Sequence, residues 1–229
     1  MAEEALGKIQ DAITYPTRSL YDAKYYLANR YITKTHALTS KLKRGQWHDV
    51  AERMLHAPFD ELVDFVEVET AWFHIAWADK ETKAKYNAPW NATGPFRLRT
   101  WRCPEAGLDH LKWSASLMLD ERMGIEKDSE GYGKPSSQAT GAQEIMDLYY
   151  WWKHARAARP DPHEISGWSA YCESKREEDG GMFCSDKTPE QKAESRRCLD
   201  ELNRLEEEYE AEDEAMLIRL MKVRRSLWT

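Results

Sequence analysis

Carboxylates set among apolar side chains are the residues of this sequence most able to do chemistry, because a buried acid must be protonated, paired or metal-bound. The last third of the chain carries large side chains at steps of three and four: Leu199, Leu202, Glu206, Tyr209, Asp213, Met216, Leu220, Val223 and Leu227. Two members of this seam, Glu206 and Asp213, are acids. If a heptad seam is turned inward, both point at the core beside Tyr209. At 3.6 residues per turn the stripe drifts instead, Leu205 takes the inner place and both acids sit at the rim. Glu69 has Phe65, Val66, Trp72 and Phe73 one turn away. It reads as a paired structural acid, as a buried hydrogen-bond acceptor that helps specify the fold, or as a metal ligand with Glu206 and Asp213 across a bundle. Glu69, Glu206 and Asp213 are thus the candidate catalytic residues, and Glu69 and Asp213 the candidate metal ligands.

Other patterns carry less chemistry. Glu61/Asp64, Glu144/Asp147 and Glu210/Asp213 each put two carboxylates on one helix face, as divalent-metal enzymes of helical type require. With 40 acids in 229 residues such spacings arise by chance, and Glu144 and Asp147 lie off the apolar stripe of their helix, where they are expected to meet only water. The seven histidines form no HExxH or paired ligand spacing. The loop Gly131-Tyr132-Gly133-Lys134-Pro135-Ser136 has Pro135 after its lysine, where a phosphate loop needs Ser or Thr to hold Mg²⁺. Cys103, Cys172, Cys184 and Cys198 form no CxxC pair and suit free thiols in a reducing cytosol. No cofactor is expected. The aromatic run Tyr149–Trp152 covers more than half a helical turn, so at least one ring faces away from the core. Tyr150, Trp151 and the hinge residue Trp168 are the candidates for a protein-binding surface.

The elements that must position these residues are helical. Leu20, Leu27, Tyr31, Leu38 and Leu42 predict a helix from about Arg18 to Leu42, and a short helix is expected over Asp49–His56. Pro58 should open a longer helix over FDELVDFVEVETAWFHIAWADKE. Pro104 restarts the chain as a helix that stops at Gly124, and a further helix spans about Ser137–Ala158 with Ala142, Ile145, Met146, Tyr149 and Trp152 inward. A proline-rich hinge leads to a helix near Ser166–Glu178. Thr188-Pro189-Glu190-Gln191 combines a Thr N-cap, Pro in the first position and Gln in the third, which is a capping box opening a helix to about Leu227. Flexible loops are expected at about 86–103, 124–137 and 179–187. The whole, 1–229, reads as one all-α domain, an irregular multi-helix bundle with a long C-terminal helix over about 188–227.

Composition bounds the partners. Apolar residues make up 41%, and ten Trp, eleven Tyr and five Phe supply a heavy aromatic load, so the chain collapses instead of staying disordered. Net charge is −7 and the basic residues are interleaved with acids. That lacks the basic stripe of a nucleic-acid binder, so nucleic acid is not an expected partner, and a basic protein surface suits the sign better. No run of about 18 apolar residues and no basic-then-apolar start occurs, so neither a membrane nor secretion is expected.

Four stretches, KLKRGQWHDVAERMLHAPFDELVDFVEVE, PEAGLDHLKW with the later YGKP, LYYWWKHARAARPDPHEISGWSAYCE and DKTPEQKAESRRCLDELNRLEEEYEAEDEAMLIRLMKVRRSLW, cover about two-thirds of the chain. As a set they resemble a family of uncharacterised tailed-bacteriophage helical proteins. The resemblance implies a phage origin and expression in the cytoplasm of an infected bacterial host. It carries no assigned activity and no catalytic residue. Within that setting the expected function is a non-catalytic protein that binds a host or phage protein, for example to inhibit a host defence or a host enzyme. Alternatives are a divalent-metal-dependent helical-bundle hydrolase or nucleotide-binding protein built on Glu69, Glu206 and Asp213, and a minor virion or assembly component whose long helix self-associates into a homo-oligomer.

Overall fold

The structure, a computed structural model, describes residues 37–92, 101–179 and 188–227 together with residues 20, 22, 23, 26, 27 and 30. Its helices are α1 (Val50–Asp64), α2 (Ala71–Ala76), α3 (Lys80–Lys85), α4 (Pro104–Ala115), α5 (Ser137–Tyr150), α6 (Pro162–Ile165), α7 (Trp168–Asp179) and α8 (Pro189–Val223). The described residues contain no strand, and a lone bridge pairs Met118 with Pro135. The fold is all-α with a long C-terminal helix. No described helix is long and apolar enough to cross a membrane.

Helix starts follow local side-chain chemistry, since the first four N–H groups of a helix need outside acceptors. Asp49 accepts from Glu52 N at 2.7 Å, Asp79 from Thr82 N at 2.7 Å and Ser136 from Ala139 N at 3.0 Å. Thr188 accepts from Gln191 N while Gln191 returns a bond to Thr188 N, both at 3.2 Å, so the expected capping box opens α8. Thr188→Ala removes one of those acceptors and is expected to cost about 1 kcal/mol. Thr188→Ser should stay near wild type. Urea titration checks this, and an alanine variant with an unchanged midpoint would mean that the cap contributes nothing.

Several boundaries differ from the expectation. The helix expected to reach Leu42 does not. Its described residues between 20 and 30 are helical, but 37–42 run as bends and extended chain. There the backbone is claimed by α1: Thr39 N donates to Glu61 at 3.0 Å and Lys41 N to Asp60 at 2.6 Å, bonds that a helix would have used internally. Pro58 does not open a helix but lies inside α1. Its missing N–H costs one bond to the carbonyl four residues back, and the burial of Phe59, Leu62 and Val63 around it outweighs that loss. The helix after Pro104 ends at Ala115, and Gly124 instead terminates the 3₁₀ turn Glu121–Met123 with φ +76°. Of the expected loops, 93–100 and 180–187 lie outside the described residues. Residues 117–136 fold back on themselves through Leu119 N to Lys134 O and Gly133 N to Leu119 O, both 2.8 Å.

The main core joins Phe59, Leu62, Val63 and Val66 to Leu111 of α4, to Ile145, Leu148 and Tyr149 of α5, and to Leu220 and Val223 of α8. Phe59 stacks on Trp152 with ring centres 4.6 Å apart and planes 10° from parallel. A smaller core gathers Ala71, Ile75, Tyr86, Ala92 and Ala106. On α8 the inner positions are Cys198, Leu202, Leu205, Leu220 and Val223, and Leu205, not Glu206, is buried. The stripe drifts as an unsupercoiled helix does, and this part of the seam packs against the chain's own helices.

Two segments widen into π-helix, Phe65–Thr70 between α1 and α2 and Trp151–Ala155 after α5. The first sets the phase of everything that follows it. Phe59, Val63, Glu67, Ala71 and Ile75, spaced four apart, are all buried, a longer repeat than the 3.6 of an α-helix.

Candidate functional site

The structure does not gather the three nominated carboxylates. Asp213 is held by two arginines: Arg156 donates from Nε at 3.1 and 3.2 Å and from Nη2 at 3.0 Å, and Arg159 Nη1 donates at 2.7 Å. Arg159 Nη2 also donates to Glu212 at 2.7 Å, and Glu212 accepts from the Trp151 indole at 2.7 Å. Arg159 lies 4.9 Å over the Tyr209 ring, and the Tyr209 hydroxyl donates to Pro160 O at 3.2 Å. These contacts bolt the hinge after α5 onto the middle of α8. Glu206 is exposed, with His163 Nε2 3.8 Å from its carboxylate. Glu69 is half-buried on the first π segment. Among the described residues no group of three or more His, Cys, Asp or Glu side chains could hold a metal ion.

Glu144, expected to meet only water, is half-buried and takes a two-point grip from Arg219 of α8, Nε at 2.7 Å and Nη2 at 2.9 Å. Its carboxyl lies below the ordinary glutamate value mainly because of that hydrogen bonding. Of the three nominated aromatics, Trp151 is buried, Trp168 is half-buried with its ring 5.9 Å from Tyr171, and Tyr150 is 42% exposed.

The acid that enters the core is Glu67, two residues before the one nominated. Its residue is 2% exposed. Arg102 Nη1 donates to Oε2 at 2.5 Å, Tyr149 OH donates to Oε1 at 2.8 Å and Lys153 Nζ stands 3.1 Å from Oε1. Arg102 reaches Asp64 as well, and Asp64 accepts from Lys41 at 2.6 Å, so a ladder of alternating charge runs from the chain before α1 into the core. Burial pushes the Glu67 carboxyl up, but the bonds from Arg102, Tyr149 and Lys153 outweigh it and hold the group below the ordinary range. Asp64 is lowered by the same balance of burial against Lys41 and Arg102. Tyr149 is raised, by burial first and then by its bond to Glu67, so its hydroxyl stays protonated and donates. This is a fully satisfied structural ion-pair cluster. The four-residue recurrence from Phe59 to Ile75 was the signal that could have found it.

Two surfaces remain open to other molecules. Trp47, just before the Asp49 cap of α1, is 86% exposed, and Val50 and Met54, one turn apart at the start of α1, are also exposed. Trp77 and Trp90, on either side of α3, are 91% and 89% exposed. Separately, a cavity of about 630 Å³ opens where the first π segment, α4, the start of α5 and the residues after α8 meet. Its walls include Phe65, Phe73 and Trp113, with His110 between the last two at ring-centre distances of 6.1 and 5.5 Å. Ser226 reaches it because Gly141 has no side chain, since a Cβ there would stand 2.5 Å from Ser226 Oγ. Compared with known protein families, with curated proteins and with solved structures, the chain matches none.

Proposed function

We infer that the chain is a non-catalytic binding protein encoded by a tailed bacteriophage, acting in the cytoplasm of the infected bacterium by docking on a host or phage protein. The observation that carries this reading is the exposure of Trp47, Trp77 and Trp90, each left almost wholly in water. An indole can bury ~150–250 Å², worth on the order of 4–6 kcal/mol of gross burial at about 25 cal/mol per Å². Three together match the ~4–15 kcal/mol that association costs in lost freedom. Tryptophan is also the side chain that most often dominates an interface. The nominated acids support the same reading, because Asp213 is committed to two arginines and offers no free base. The net charge of −7 favours a partner whose docking face is basic.

The test uses the tagged chain expressed in cells infected by the encoding phage. Wild type is expected to retain one protein in stoichiometric amount, and Trp77→Ala/Trp90→Ala to retain at least tenfold less while melting at the wild-type temperature. Capture of the same protein by both, or of none by wild type, would sink the reading.

A further inference from the structure

The cavity between the first π segment, α4 and α5 is lined by polar groups that have no partner among the described residues. Ser114 is 4% exposed, yet among the described residues its hydroxyl makes no hydrogen bond. His110, half-buried in ring contacts with Phe73, His74 and Trp113, likewise shows no hydrogen bond at either ring nitrogen among the described residues. Arg225 reaches the same space and makes no ion pair or hydrogen bond with any described residue. This differs from the other arginines that face the helices: Arg102, Arg156, Arg159 and Arg219 are each engaged by a carboxylate.

The electrostatics of the cavity run against those of the chain. The protein carries 40 acids and a net charge of −7, but among the described residues no Asp or Glu lines this space. α5 begins here: Ser137 and Gln138, its first two residues, are in the wall, and the Ser136 cap takes the Ala139 N–H, so the first two amides of α5 have no acceptor among the described residues. Those free N–H groups and the aligned peptide dipoles attract negative charge. Arg225 adds a full positive charge to the same wall. The other side is aromatic, with Phe65, Phe73 and Trp113. A volume of about 630 Å³ lies in the ~300–1,000 Å³ range of small-molecule sites.

We propose that this cavity binds a small aromatic anion, its ring against Phe65, Phe73 and Trp113 and its anionic group on Arg225 and the first amides of α5, with Ser114 and His110 supplying hydrogen bonds to the ligand's polar edge. The site is separate from the tryptophan surfaces and stands on its own observations. The anionic group is a carboxylate or a phosphate, since both fit a guanidinium fork beside a helix N-terminus.

Isothermal titration calorimetry with 1-naphthoate, its neutral analogue 1-naphthamide, and adenosine 5′-monophosphate tests this on the full chain. Arg225 is exposed and engages none of the described residues, so Arg225→Ala should fold as wild type, which a melt verifies. Either naphthoate or the nucleotide is expected to bind one to one and at least tenfold more weakly to Arg225→Ala. Ser114→Ala, which leaves Arg225 in place, should weaken the same ligand severalfold. Naphthamide should bind both proteins equally poorly. Tighter binding of naphthoate assigns a carboxylate ligand, and tighter binding of the nucleotide a phosphate ester. Measurable and equal binding of naphthoate and naphthamide, undiminished binding of the bound anion by Arg225→Ala, or no binding of either anion at about 1 mM would overturn the proposal.

Discussion

Replacing Gly107 by alanine is expected to lower stability by on the order of 3 kcal/mol, near the upper end of the usual overpacking cost. A Cβ at that position would stand 1.9 Å from the Val66 carbonyl oxygen, 2.9 Å from its carbon and 3.0 Å from Thr70 Oγ1. The first two are backbone atoms of the π segment, which cannot swing aside as a side chain does. Val66 is fully buried and its carbonyl already accepts the Thr70 hydroxyl at 2.6 Å. α4 is also pinned to that segment by Cys103 N donating to Glu67 O at 2.8 Å, so relief of the clash must move α4 away and open both cores. For a chain of this size the loss corresponds to roughly 6–12 °C in melting temperature. Gly131→Ala is the control, because its Cβ would meet nothing nearer than a Leu119 methyl at 3.6 Å. A Gly107→Ala protein that melts with Gly131→Ala would show that the two elements do not approach so closely.

Local chemistry made the helix ends legible, and phase made the site illegible. The Thr188–Gln191 capping box and the stripe Ala142, Ile145, Met146 and Tyr149 could be read because cap and spacing act within one helical turn. Pro58 misled because proline marks a helix start only as a preference, and the buried Phe59, Leu62 and Val63 bind the residues on both sides of it into one helix. The Glu69 nomination assumed 3.6 residues per turn. The π segment advances the chain more slowly, so Glu67 takes the inward place. The partners that complete the site are 35, 82 and 86 positions away in Arg102, Tyr149 and Lys153. Their approach depends on helix packing, which periodicity along one helix does not encode. The cavity polar groups were invisible for the same reason: Ser114 and Arg225 are ordinary until α4 and the end of α8 are brought together.

Glu67→Ala is expected to cost on the order of 3 kcal/mol, and the source of that loss is specific. The Arg102 and Lys153 side chains are 37% and 41% exposed and can turn toward water, so their ion pairs supply the smaller share. Tyr149 cannot. Its residue is almost fully buried, and without Glu67 its hydroxyl loses its acceptor, a penalty of about 1–3 kcal/mol to which the vacated volume adds. Glu67→Gln keeps the volume and an acceptor for Tyr149, so about 1–2 kcal/mol is expected, and Tyr149→Phe in that background should cost less than in wild type. The pH dependence separates charge from shape. Because the folded Glu67 carboxyl lies below its ordinary value of 4.5, the folded state resists protonation more than the unfolded chain does. The stabilisation is therefore present above about pH 4.5 and is lost as pH falls through the lower folded value. Asp64, lowered in the same way, contributes to the same acid limb. Melting curves between about pH 6 and pH 3 should fall more steeply for wild type than for Glu67→Gln, with the two converging at the acid end. Parallel curves would mean that Glu67 is not held as a carboxylate in the folded protein, and that its place in the core rests on shape alone.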